Sequence, residues 1–147
     1  MRGGGYTASW LRHLCDHAPM DDQKQILQRY LQVGRDSVVW KVEGLSEYDM
    51  RRPLVPTGTN LLGLVKHLAS VELGYFGDCF GRPHGEELPW HDEGTEANAD
   101  MWATTEESSE KILGLYRRAW AHSDATIESL SIATPGSFSP EITGLFQ

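Results

Sequence analysis

The chain has 147 residues, 39% of them apolar, and a formal net charge of −8, which suits one domain with one modest core and excludes global disorder. Acidic residues are spread along its length and would repel a phosphate backbone or an anionic membrane surface, so no nucleic acid and no membrane is expected as a partner. The two cysteines, Cys15 and Cys79, form neither a CxxC pair nor a disulfide framework, which favours a reducing, cytoplasmic setting.

Residues 1–19 read as a flexible N-terminal extension: Gly3-Gly4-Gly5 is permissive backbone, and Ala18-Pro19 interrupts whatever precedes it. The start lacks the apolar stretch of a secretory signal, and no apolar run approaches the roughly 20 residues that cross a bilayer. His13, Cys15 and His17 form an HxxxH with a thiol inside it, read here as chance histidines of the extension. The domain proper is expected over residues 20–147.

A first helix is predicted over 21–43. Asp21 and Asp22 suit its positive N-terminal end, and Gly44 is a natural stop. Leu27, Leu31, Gly34, Val38 and Val42 recur at three- and four-residue steps, and Ile26, Tyr30 and Val33 broaden that stripe. Ser46 with Asp49 predicts one brief helical turn before Pro53 and Pro56 force extended chain. A second helix is predicted over 60–80, capped by Thr59 or Asn60. Its wide apolar face is drawn from Leu61, Leu64, Val65, Leu68, Val71, Tyr75, Phe76 and Cys79. Residues 82–103, with Pro83, Pro89 and many acids, predict a long loop over one end of the bundle. A third helix is predicted over 104–131, with Thr104 and Glu107 as a capping box and Ile112, Leu115, Tyr116, Ala119, Trp120, Ser123, Ile127 and Leu130 as its buried stripe. Pro135, Gly136, Pro140 and Gly144 break residues 132–147 too often for a fourth long helix. Three long amphipathic helices predict an all-α bundle with an irregular C-terminal tail.

The segment Asn60-Leu-Leu-Gly-Leu-Val-Lys-His67-Leu-Ala-Ser-Val-Glu72 resembles the second helix of the DinB-like superfamily, in its mini-circle protein branch. The Pro-rich lead-in from Lys41 to Pro56 and the run from Leu115 to Asp124 match that branch in order and spacing, so the resemblance covers roughly residues 21–131. It implies an up-down-down-up four-helix bundle. It also implies a divalent metal, zinc or nickel, held by one histidine of helix two and by an HxxxH motif on helix four. His67 stands at the helix-two position. An HxxxH helix presents two imidazoles to one ion because residues i and i+4 share a face. After Leu130 no such motif follows, so the implied site lacks two of its three ligands and the bundle lacks a quarter. Some relatives are thiol-dependent S-transferases, which implies a low-molecular-weight thiol as partner. The alternative is a non-enzymatic helical protein that self-associates, as a homodimer, through an exposed apolar face.

The remaining candidates read more plainly. Glu72 lies five residues after His67, off the same face, and reads as a solvated or interhelix carboxylate. His84 and His91 sit among Glu86, Glu87, Asp92 and Glu93, a pattern of solvated loops more often than of cation sites. Trp40, Trp90, Trp102 and Trp120 read as core or rim aromatics, and Cys79 as a small buried apolar residue. His122, Ser123 and Asp124 are not a triad, because neighbouring helical residues point about 100° apart. No residue is assigned as catalytic.

Overall fold

The structure, a computed structural model, describes residues 20–137. It contains four α-helices: α1 (Met20–Val42), α2 (Glu47–Arg51), α3 (Leu61–Phe76) and α4 (Ser109–Ser129). Single 3₁₀ turns at Asp78–Phe80, Pro89–His91 and Ala99–Met101 punctuate the long connection between α3 and α4. No strand occurs among the described residues, so the all-α expectation holds. No helix among them is long and apolar enough to cross a membrane.

Local chemistry sets the helix ends. The Ser46 hydroxyl accepts from the Asp49 N–H (3.1 Å) and starts α2 where the sequence placed a brief turn. The α3 helix stops at Phe76, four residues short of the expected end. Gly77 takes φ −104°, ψ −81°, and a Cβ there would overlap the Leu73 carbonyl. The α4 helix starts later than expected, at Ser109, under the Ser108 hydroxyl. The Thr104–Glu107 pair makes half of the predicted box, since Glu107 Oε2 accepts from the Thr104 N–H (2.8 Å). The other Glu107 oxygen takes the Lys66 ammonium (2.7 Å), so this carboxylate closes a turn ahead of the helix instead of capping it.

Lys24 Nζ donates to the carbonyls of Leu130 (2.8 Å) and Glu128 (3.3 Å), which puts the start of α1 beside the end of α4. Asn60 reaches Ala103 and Lys66 reaches Glu107, so α3 and α4 both start at the opposite end. The order is therefore up for α1 and down for α3 and α4, as the resemblance implied for three of its helices.

The core forms chiefly between α3 and α4, the closest-packed pair. Leu62, Val65, Ala69 and Leu73 face Ile112, Leu115, Tyr116 and Ala119, while Val39, Val42, Met50 and Ala103 fill the upper end. Each fully buried Leu or Val here contributes roughly 1.5–3 kcal/mol. This corrects the expected face of α3: Leu61, Leu64, Leu68 and Val71 are only half-buried, and Tyr75 is exposed. That helix is apolar nearly all round, so periodicity could not say which face α4 would take. The α1 stripe also differs. Val42 is buried and Leu31 and Val38 are half-buried, but Leu27 is 59% and Val33 57% exposed, and Trp40, expected as a core or rim aromatic, is 72% exposed. No described element covers Val33 and Trp40, which lie on the outer side of α1, whereas Leu27 turns toward Phe76 and Leu130. Cys79 is buried, as expected. Burial pushes its thiol pKa up, and the neighbouring Asp78 carboxylate adds to the rise.

Candidate functional site

The site is built outward from the start of α3. Asn60 is buried and uses its whole amide. Its Oδ1 accepts from the N–H groups of Gly63 (2.8 Å) and Ala103 (3.1 Å), and its Nδ2 donates to the carbonyls of Arg51 (3.0 Å) and Ala103 (3.1 Å). One side chain thereby caps the helix, ties down the end of α2 and clamps residues 101–103. Gly63 completes the clamp, because a Cβ there would overlap the Met101 carbonyl and the Trp102 Cα. The 3₁₀ turn Ala99–Met101 therefore lies directly against α3, one turn above His67.

That contact delivers Asp100 to His67. The His67 Nδ1 stands 2.6 Å from Asp100 Oδ2, with Asp100 buried and the His67 side chain 31% exposed. A carboxylate accepts, so Nδ1–H donates, and Nε2 is left bearing the lone pair. A carboxylate fixing the tautomer and orientation of an imidazole is the arrangement that supports both histidine bases and metal-ligating histidines.

Around this pair the turn at Trp90 and His91 packs against α3, while residues 92–98 of the long connection are exposed, as expected of a solvated loop. Trp90 donates through Nε1 to the Ser70 hydroxyl (2.9 Å), and the Lys66 ammonium lies 4.8 Å from the Trp90 ring centroid. Lys66 is fully buried and paired with Glu107. His91 sits on the same turn. Its Nε2 is buried without a hydrogen-bond partner, and burial pulls its pKa down, against the raising effect of Asp100. His91 is therefore part of the wall near His67, which corrects its expected place in a solvated loop. His84 lies instead toward α4, 3.7 Å from Asp78 and edge-on to His122, while Glu86 pairs with Arg118 (2.7 Å). His122 Nε2 donates to the Arg82 carbonyl (2.8 Å), so it takes no part in a triad.

A second polar cluster ties α1 to the other helices. Arg35 is 1% exposed and forks onto both oxygens of Glu72 (2.8 and 3.0 Å), then reaches Asp124 (2.8 Å) and Gln32 (3.1 Å). Ser123 donates to Glu72 Oε2 (3.1 Å), and the guanidinium lies 5.6 Å from the Trp120 ring centroid. Burial alone would lower the Arg35 pKa, but the hydrogen bonds to Glu72 and Asp124 outweigh it and raise the pKa. Glu72 is thus an interhelix carboxylate, one of the two alternatives its spacing left open.

Sequence reasoning marked His67 but missed Asp100 and Arg35. Arg35 had a usable signal: a charge among Leu31, Val38, Val39 and Val42 on the inward side of α1, with Glu72 on the next long helix. Asp100 had none, because its position depends on the fit of a loop against Gly63. The His13–His17 motif and residues 138–147 lie outside the described residues. Among the described residues, no group of three His, Cys, Asp or Glu side chains is placed to hold a metal ion. His67 with Asp100 fits as one ligand and its orienting carboxylate, and the described donor set goes no further.

The three long helices, with a histidine on the second, are the arrangement that the DinB-like resemblance implied. A model of the mycothiol-S-transferase family matches residues 26–144. The match covers most of the chain, which belongs to that family. No curated protein and no solved structure gives a significant match.

Proposed function

We propose that this chain handles a low-molecular-weight thiol of the mycothiol type at the His67 end of the bundle, transferring its sulfur to an electrophile. The observation that carries the proposal is the His67–Asp100 pair, a half-exposed imidazole with a fixed Nε2 lone pair. In that role Nε2 takes the proton from the thiol S–H, and the resulting thiolate attacks the electrophilic carbon. The C–S bond forms as the leaving group departs with its bonding pair. A divalent metal, zinc or nickel, would occupy that Nε2 lone pair in place of the thiol proton and would activate the thiol as a Lewis acid instead. His67 is the one described residue assigned to hold it, and further ligands would have to come from outside residues 20–137.

The test is thiol consumption with a chromophoric alkylating agent, run beside elemental analysis of untagged protein. Wild type is expected to consume thiol faster than the uncatalysed reaction. His67→Ala should abolish that excess, and Asp100→Asn should lower it by about 10–100-fold. Wild-type protein that never exceeds the uncatalysed rate, with or without added zinc or nickel, would sink the proposal. A second reading, a self-associating helical protein, draws on the outer side of α1. Ile26, Val33 and Trp40 repeat at seven-residue spacing there and are all exposed. Sedimentation equilibrium tests it, and a monomer at all concentrations would rule it out.

A further inference from the structure

Two apolar cavities adjoin along α1. One, of about 370 Å³, lies between Leu27 and Leu31 of α1, Phe76 and Phe80, and Leu130 and Ile132. The other, of about 660 Å³, continues between Leu31 and Val38 on one side and Leu68, Val71 and Phe76 on the other. Leu31, Phe76 and Phe80 line both, so together they make one groove. The surface lining this groove is almost entirely carbon, and the groove is open to solvent.

The last described residues lead directly to it. The Ser137 N–H donates to the Cys79 carbonyl (2.7 Å), and a Cβ on Gly136 would stand 3.4 Å from the Phe80 ring. The chain therefore leaves the described region beside Phe80, one of the three residues common to both cavities. Residues 138–147 read Phe-Ser-Pro-Glu-Ile-Thr-Gly-Leu-Phe-Gln. Phe138, Ile142, Leu145 and Phe146 are apolar, and Pro140 suits an extended path with no donor to satisfy at that position. The single charge, Glu141, has a complement in Lys24, the one charged residue on the wall of the lower cavity. Reach is sufficient. From Phe80 back to Leu68 is roughly 18 Å at helical rise, whereas ten extended residues span up to about 33 Å.

We propose that residues 138–147 seat in the groove between α1 and α3, with their apolar side chains against Leu31, Val71, Phe76 and Phe80. This proposal is independent of the thiol chemistry. The test is hydrogen–deuterium exchange on the full chain beside the double variant Ile142→Ser/Phe146→Ser, with Ser139→Ala/Thr143→Ala as control. Amides of residues 27–38 and 71–80 are expected to exchange about tenfold faster in the first variant and unchanged in the control, with a several-fold rise in fluorescence of a bound apolar dye. Both effects should be independent of protein concentration. Equal exchange in wild type and both variants would overturn the proposal. So would protection that disappears on dilution together with a two-chain mass, which would assign the groove to a second copy.

Discussion

The α3–α4 pair and α1 are held by different physics. Between α3 and α4 the contact is carbon on carbon, with Leu62, Val65, Ala69 and Leu73 against Ile112, Leu115 and Ala119. The α1 helix adds Val39 and Val42 to that core near its end, but further toward its start it is tied through charge, with one guanidinium gripping Glu72 and Asp124 and one ammonium gripping two carbonyls, while Leu27, Val33 and Trp40 stay largely in solvent. A carbon interface tolerates small shifts and yields gradually. A buried ion pair holds one geometry and fails all at once when a partner is lost. The site follows the same division. His67, Asp100 and the clamp around Asn60 belong to the α3–α4 side, and α1 contributes none of them.

Four experiments would sharpen or break that contrast. The largest effect is expected from Glu72→Leu, which takes the bidentate partner from the buried Arg35, leaves it only Asp124 and Gln32, and should cost about 3–5 kcal/mol in urea unfolding. Adding Arg35→Met to it should recover most of the loss. Failure to recover would show that α1 is held by more than the charge cluster. Tyr116, buried on the α3–α4 side, gives a pH-dependent counterpart. Burial, helped by the Glu72 carboxylate, raises its pKa from 10.0 to about 12. The folded state therefore keeps a proton that the unfolded state releases, and stability is complete below pH 10.0 and is lost as pH rises toward about 12. Relative to Tyr116→Phe, wild type should lose up to about 2–3 kcal/mol across that window. Indistinguishable alkaline unfolding of the two proteins would refute the assignment.

Gly63→Ala should cost about 1–3 kcal/mol by pushing residues 101–102 off α3. Its sharper readout is near-UV circular dichroism, where the Trp90 and Trp102 bands should change while those of Glu72→Leu/Arg35→Met stay near wild type. The smallest effect is expected at Trp40→Ala, less than about 0.5 kcal/mol in dilute monomer, because that ring is 72% exposed. A larger cost that grows with concentration would show that the outer side of α1 is buried between chains.

The sequence was legible where a pattern was local. The span of α1, the Ser46 turn and the capping amide of Asn60 all follow from residues within one turn of one another. It was less legible where the outcome depended on a neighbour. Periodicity in α3 had no preferred face, since Leu61, Leu64 and Leu68 are as apolar as Leu62, Val65 and Ala69, and only the docking of α4 decides between them. The Thr104–Glu107 box formed only by half, because the Glu107 N–H turns to the Thr104 carbonyl and the helix starts one turn later, under Ser108. Half of the candidate site was visible as His67. Its partner Asp100 was hidden because a loop of acids gives no sign of which one turns inward.

Cys79 offers a way to watch the molecule breathe. Its sulfur is shielded and kept protonated by burial, so an alkylating reagent can reach it only when the turn at 78–80 opens. In a Cys15→Ser background it would be the single reactive sulfur in the chain. The labelling rate then becomes a clock for that opening: it is the open fraction multiplied by the reagent's own rate on a free thiol, so dividing by that rate gives the opening equilibrium. Because the Cys79 carbonyl also receives the Ser137 N–H, the same clock counts how often the chain lifts away from Phe80.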